Sequence, residues 1–223
     1  MKSLSRSLLT DALKINHLSL AAQQTDSIIL FLNELLLWNK KINLTAHRRP
    51  EDLIEKDVID TLRLNLYRIL YIPKLASVVD IGCGGGFAGI ILGILNPGAQ
   101  LGFIESNRKK INFVKEICRK LKLDGEFLND RVESFPPKWK EKFQIAVSRA
   151  TWKVAEFIQY AHYYVQNNGI LFYMSGKKSK IDRPHGQLIQ GLAAGPEFFY
   201  KIMPKEYERK VFSFIKNEVF PST

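Results

Sequence analysis

The residues with the clearest chemical potential lie in one short stretch, Val78-Val79-Asp80-Ile81-Gly82-Cys83-Gly84-Gly85-Gly86-Phe87-Ala88-Gly89. A β-rich run leads into a glycine cluster and then into a helical run, so the glycines form a strand-to-helix turn. At the carboxyl end of an open parallel sheet, such a turn lets the backbone approach a ligand with no Cβ atoms in the way. Asp80 stands at the strand's end, just ahead of Gly82, Gly84 and Gly86. Glu105 ends the next apolar run, where a carboxylate can accept hydrogen bonds from both hydroxyls of an adenosine ribose. The same string spells G-x-G-x-x-G as Gly84, Gly86 and Gly89, which keeps a dinucleotide site and NAD-dependent hydride transfer open as an alternative.

The elements that would position these groups follow from periodicity. Residues 77–81, 101–105, 126–129, 144–148 and 170–174 read as strands, and 87–95, 108–121 and 154–166 as helices. Alternating β and α elements with crossovers of this length require parallel strands and right-handed connections, so the expected fold is a doubly wound α/β sheet. Runs at 198–203 and 211–215 are too close for a crossover helix and predict a terminal hairpin with one antiparallel strand. Before this region, helices are expected at 25–38, behind a Thr25-Asp26 cap, and at 51–70. The expected organisation is therefore a helical extension over 1–72 and a sheet domain over 73–223, packed as one globular unit.

Composition narrows the function classes. The chain has 223 residues, 33 Lys+Arg against 22 Asp+Glu, and a formal charge of +11, a surplus that suits a polyanionic partner such as RNA. With 46% hydrophobic residues it is globular rather than disordered. The uncharged stretch 81–104 is broken by glycines and Pro97, so no membrane helix is expected there, and the first residues lack the apolar core of a secretion signal. A soluble, cytoplasmic monomer is the expectation. His17, His47, His162 and His185 show no metal-ligand spacing, and Cys83 and Cys118 form no C-x-x-C pair, so no metal is expected.

The arrangement D-x-G-x-G-x-G at Asp80–Gly86 resembles the first motif of S-adenosylmethionine-dependent methyltransferases. Trp38-Asn39-Lys40-Lys41-Ile42-Asn43-Leu44-Thr45, Asp130-Arg131-Val132-Glu133 and Ser148-Arg149-Ala150 flank it in order. Together these elements are similar to the RsmG (GidB) family, which methylates N7 of a guanosine in 16S ribosomal RNA. The resemblance implies a Rossmann-like, mostly parallel seven-stranded sheet with an antiparallel hairpin strand and an N-terminal helical extension. It implies S-adenosylmethionine as cofactor and 16S ribosomal RNA or the small ribosomal subunit as partner. The expected cofactor residues are Asp80, Gly82, Gly84 and Gly86 of the motif and Glu105 at the end of the next run, to which the family resemblance adds Phe87, Val132, Glu133 and Arg149. Of these, Val132 and Glu133 would flank the adenine, and Arg149 would lie at the reactive end.

The chain departs from the family pattern at two places. Lys56-Asp57 and Asp60-Thr61 stand where Arg-His and Asp-Ser are usual, which puts a carboxylate where an imidazole is expected. Ser175 stands where a lysine is expected near the substrate, leaving Lys177 as the candidate to reach the same volume and, with Arg149, to act in catalysis. The RNA footprint is expected on Lys40, Lys41, Arg48 and Arg49, and on Lys177, Lys178, Lys180 and Arg183. A divergent RNA-binding relative with an altered or lost methylation target is the remaining alternative.

Overall fold

A computed structural model describes residues 4–149, 153–176 and 191–217. Two helices, α1 (Arg6–Ile15) and α2 (Ala22–Trp38), precede a longer helical rod. That rod runs as α3 (Pro50–Leu53), a π-helical turn (Ile54–Val58) and α4 (Ile59–Ile69). Helix α2 starts earlier than its Thr25-Asp26 pattern predicts. The side-chain Oε1 of Gln24 accepts the Ala21 N–H at 3.0 Å, and Thr25 lies inside the first turn, its hydroxyl bonded back to the Ala21 carbonyl.

The sheet then builds as β1 (Ser77–Ile81), α5 (Phe87–Leu95), β2 (Gln100–Ile104), α6 (Arg108–Leu121) and β3 (Gly125–Leu128). It continues with β4 (Phe143–Arg149), α7 (Val154–Tyr164), β5 (Val165–Gly176), β6 (Leu192–Ile202) and β7 (Tyr207–Lys216). Among the described residues there are seven strands, in the order β3-β2-β1-β4-β5-β7-β6. The first five are mutually parallel, and β7 runs antiparallel to both β5 and β6. The chain reverses its direction of strand addition between β1 and β4, which opens a crevice at their carboxyl ends.

Strand alternation decides what faces what. Val78, Leu101, Phe103, Ile145 and Val147 point to the face covered by α5 and α6, where they share one continuous core with Ile28, Phe31, Leu35, Val58 and Leu64 of the preceding helices. Val79, Ile104 and Ala146 point to the opposite face with Phe157, Ile158 and Ala161 of α7. Asp80 follows the parity of Val78 and therefore points under α5. Helix α7 ends two residues earlier than its pattern predicts, because Val165 already pairs with Phe143 across the sheet.

Candidate functional site

The glycine loop is shaped by backbone conformation. Gly82, Gly84 and Gly86 have φ of 65°, 55° and 76°, in the left-handed region that side chains disfavour. The loop is tied to β2 by Gly82 N–H and Cys83 N–H donating to the Ile104 carbonyl, at 2.9 and 3.1 Å. Glu105 completes the tie: its Oε2 accepts the Gly84 N–H at 3.0 Å and its Oε1 accepts the Asn107 N–H at 2.8 Å. Glu105 is therefore oriented from two sides before any ligand arrives. Burial pushes the Cys83 thiol well above its usual range, which leaves it a neutral thiol and a poor nucleophile.

Beside this loop lies a cleft of about 290 Å³ lined by Gly82, Glu105, Asp130, Arg131, Val132 and Glu133. Val132 is buried, and its carbonyl accepts the Tyr164 hydroxyl, so the wall of the cleft is anchored to α7. Glu133 is exposed, 3.7 Å from Arg131 across an ion pair. Four of the expected cofactor residues, Gly82, Glu105, Val132 and Glu133, thus share one cleft.

Gly84, Gly86, Asp80, Phe87 and Arg149 lie outside its lining. Asp80 is 3% exposed, and its Oδ2 accepts the Gly89 N–H at 2.9 Å, so this carboxylate fixes the first turn of α5. Burial raises its pKa to about 6, opposed by the Gly89 hydrogen bond and the Arg149 charge. Gly89, the third glycine of G-x-G-x-x-G, is small for a packing reason: a Cβ there would collide with the Phe103 ring and lie 3.2 Å from Asp80 Cβ. Gly86 is confined in the same way, with Ile90 Cδ1 2.7 Å from where a Cβ would stand. These two glycines serve helix packing inside the turn.

Arg149 and Phe87 meet on the other side of β1. The Arg149 guanidinium lies 5.0 Å from the Phe87 ring centroid, within cation–π range. Arg149 Nη1 also donates to Asp57 Oδ1, and the second oxygen of Asp57 accepts from His47 Nδ1 at 2.9 Å. The side chain of Asp57 is 1% exposed, whereas those of Arg149 and His47 are each 29% exposed. Neither His47 nor the Arg149–Asp57 pairing was anticipated from sequence. Position 57 stood out only as a departure from the family pattern, and an imidazole is brought beside it from position 47. Lys56 points elsewhere, to Asp52 at 3.1 Å and over the Tyr207 ring. Asp60 is buried against the Tyr200 hydroxyl and 3.6 Å from Arg209 Nε, and burial raises its pKa. Ser175 is buried, with its hydroxyl bonded to the Gly176 carbonyl at 3.1 Å, so it faces into the protein.

The segment 38–45 packs on the glycine loop. Asn39 Oδ1 accepts the N–H groups of Leu44 and Thr45, and its amide donates to the Thr45 carbonyl. This closes a tight loop that sets the Leu44 carbonyl against Gly84 and Gly85. Lys40, Lys41 and Arg48 are exposed and, with Asn39 and Asn43, line a separate cleft of about 300 Å³. Arg49 is exposed beside them, 3.5 Å from Glu51. Lys177, Lys178, Lys180 and Arg183 lie outside the described residues, as does Ala150 of Ser148-Arg149-Ala150.

Residues 24–188 match the family model described as GidB, rRNA small subunit methyltransferase G. The chain belongs to this family. A relative from Psychrobacter arcticus, named ribosomal RNA small subunit methyltransferase G, is 33% identical over 179 residues, covering 80% of this chain and 71% of the relative. One of the same name from Oceanobacillus iheyensis is 30% identical over 187 residues, covering 81% and 78%. Among solved structures, a SAM-dependent methyltransferase from Aquifex aeolicus superposes with a TM-score of 0.53 at 18% identity, covering 75% of this chain and 94% of that one. TrmN from Thermus thermophilus gives 0.54 at 15% identity, covering 73% and 53%. These likenesses show that the doubly wound fold is shared with both structures. The family membership sets aside the dinucleotide reading of Gly84, Gly86 and Gly89. Among the described residues, no helix is long and apolar enough to cross a membrane.

Proposed function

We propose that this chain transfers a methyl group from S-adenosylmethionine to N7 of a guanosine in 16S ribosomal RNA, acting as a monomer in the cytoplasm. Family membership across residues 24–188 carries the reading, and the crevice supports it. The residues present fit the cofactor: Glu105, held by Gly84 and Asn107, would accept the ribose hydroxyls, and Val132 and Glu133 would flank the adenine. In the strand order β2-β1-β4, Glu105 at the end of β2 would hold the ribose side of the cofactor, and Phe87 and Arg149, across β1, would hold its other side. Asp80 keeps α5 in place beneath it.

When bound, the cofactor supplies a methyl group on a sulfonium sulfur, which a guanine N7 accepts with its own lone pair and without prior loss of a proton. The protein's task is accordingly to position two reactants and exclude water, which needs no general base. Arg149 would act at the reactive end, and Lys177 from the segment beyond β5. Lys40, Lys41, Arg48 and Arg49 would hold phosphates, with Lys177, Lys178, Lys180 and Arg183 continuing the footprint.

The test is transfer of labelled methyl from S-adenosylmethionine to 16S ribosomal RNA and to 30S particles lacking the modification, with the product nucleoside identified by mass spectrometry. The expected product is 7-methylguanosine. Saturable cofactor binding with no transfer to either substrate would contradict the proposal and favour the relative with an altered or lost target. That alternative is motivated by Ser175 and Asp57.

A further inference from the structure

The Asp57 carboxylate is where three separate parts of the chain meet. It belongs to the π-helical turn, in which the Ile59 N–H reaches back to the Ile54 carbonyl. Such turns carry one extra residue and re-aim the side chains around them. One of its oxygens takes Arg149 from the end of β4, and the other takes His47 from the loop that Asn39 closes. His47 is itself fixed by its backbone N–H, which donates to Thr45 Oγ1 at 3.1 Å. A carboxylate buried to 1% exposure persists only with such partners, and here both of its oxygens are engaged. The Phe87 ring at 5.0 Å restricts the guanidinium from another side.

We propose that Asp57 is the positioning residue for Arg149, and that through it the N-terminal extension sets the end of the crevice that receives the amino-acid portion of the cofactor. This rests on the reading of the crevice as an S-adenosylmethionine site. The anchor is asymmetric: among the described residues Asp57 bonds His47 and Arg149, and it is not part of the lining of the cleft formed by Glu105, Gly82, Val132 and Glu133. Its removal therefore acts on one end of the ligand. A guanidinium that loses its anchor samples more rotamers and loses preorganised charge toward the cofactor's carboxylate, while the adenosine contacts stay in place.

The experiment is calorimetric titration of the full chain with two ligands. S-adenosylhomocysteine carries the amino-acid portion, and 5′-methylthioadenosine lacks it. The variants are Asp57→Ala, Asp57→Asn and His47→Ala, each checked for folding by circular dichroism and thermal melting. The expected result is a loss of about tenfold in S-adenosylhomocysteine affinity for Asp57→Ala, with methylthioadenosine affinity changed by less than about twofold. Asp57→Asn, which retains a neutral acceptor for Arg149, recovers part of the loss, and His47→Ala gives a smaller loss of the same selectivity. If Asp57→Ala fails to fold, the other two variants carry the comparison. Equal weakening of both ligands, or no weakening of either, overturns the proposal. A wild-type chain that binds neither ligand overturns instead the cofactor reading on which it rests.

Discussion

The Glu105 end of the crevice is built from backbone and from partners close in sequence, whereas its Arg149 end is built from side chains that meet only in the folded chain. Glu105 reaches Gly84 over a separation of 21 residues within a single strand-helix-strand unit, while Arg149 reaches Asp57 over 92. The first kind of site tolerates little change because glycines with left-handed φ and a bonded carboxylate define its shape. The second kind can be rebuilt: an imidazole arrives from position 47 where the family pattern places one at position 57. The local motif is therefore readable from sequence, whereas the charges around Arg149 depend on contacts between distant parts of the chain.

The largest expected effect is at the far end. Arg149→Ala leaves the carboxylate of Asp57 buried with only His47 as partner, an uncompensated charge that costs about 3 kcal/mol of stability. Methyl transfer should fall by about 100-fold or more in the same variant, as positioning at the reacting centre is lost. Urea unfolding and single-turnover transfer check the two parts. Removing the half-exposed arginine should cost more stability than Asp57→Ala does, because the carboxylate is the more deeply buried partner.

Asp80 offers a sharper contrast, because it lies under the glycine loop yet acts on helix α5. Its folded pKa of about 6 exceeds the ordinary 3.8. Well below the unfolded value of 3.8 the group is protonated in both states and costs nothing. As pH rises toward 6, the unfolded chain ionises first, so stability falls by at most roughly 3 kcal/mol and is then constant. Asp80→Asn keeps an acceptor for the Gly89 N–H and should remove this fall from the pH dependence of urea midpoints. Asp60, whose pKa is shifted in the same direction, retains its own contribution.

The outline of the sheet was legible in sequence because its signals are local. The limits of β1, α5 and α6 match the periodicity residue for residue, and the spacing of the last two runs permits only the antiparallel hairpin. Gly82 and Glu105 stand out by the same local signals, at the ends of β1 and β2, while Val132 and Glu133, which share their cleft, were expected there only from the family resemblance. The start of α2 was misread, as the effective cap is the Gln24 side chain rather than Thr25. Gly86 and Gly89 carried a second meaning that only the positions of Ile90 and Phe103 reveal. The His47–Asp57–Arg149 network was illegible, since no periodicity relates its three members and nothing local to position 57 names its partners.

Two smaller effects refine the comparison. Glu105→Gln keeps an oxygen for the Gly84 N–H but loses the charge toward the ribose, and should weaken S-adenosylhomocysteine and methylthioadenosine alike by about tenfold. That common loss is the opposite of the selectivity expected at Asp57, and the same titrations measure it. Lys40→Ala should leave cofactor affinity unchanged, weaken RNA binding a few-fold, and lower the slope of log affinity against log salt by about one. Filter binding at several salt concentrations reads this directly.

The most direct measurement is a crystal structure of the chain with S-adenosylhomocysteine. The account predicts the adenine between Val132 and Glu133, the ribose hydroxyls on Glu105, and the amino-acid portion extending across β1 to Phe87 and an Arg149 still paired with Asp57. A ligand bound in the reverse sense, or one whose amino-acid portion avoids Arg149, would contradict it.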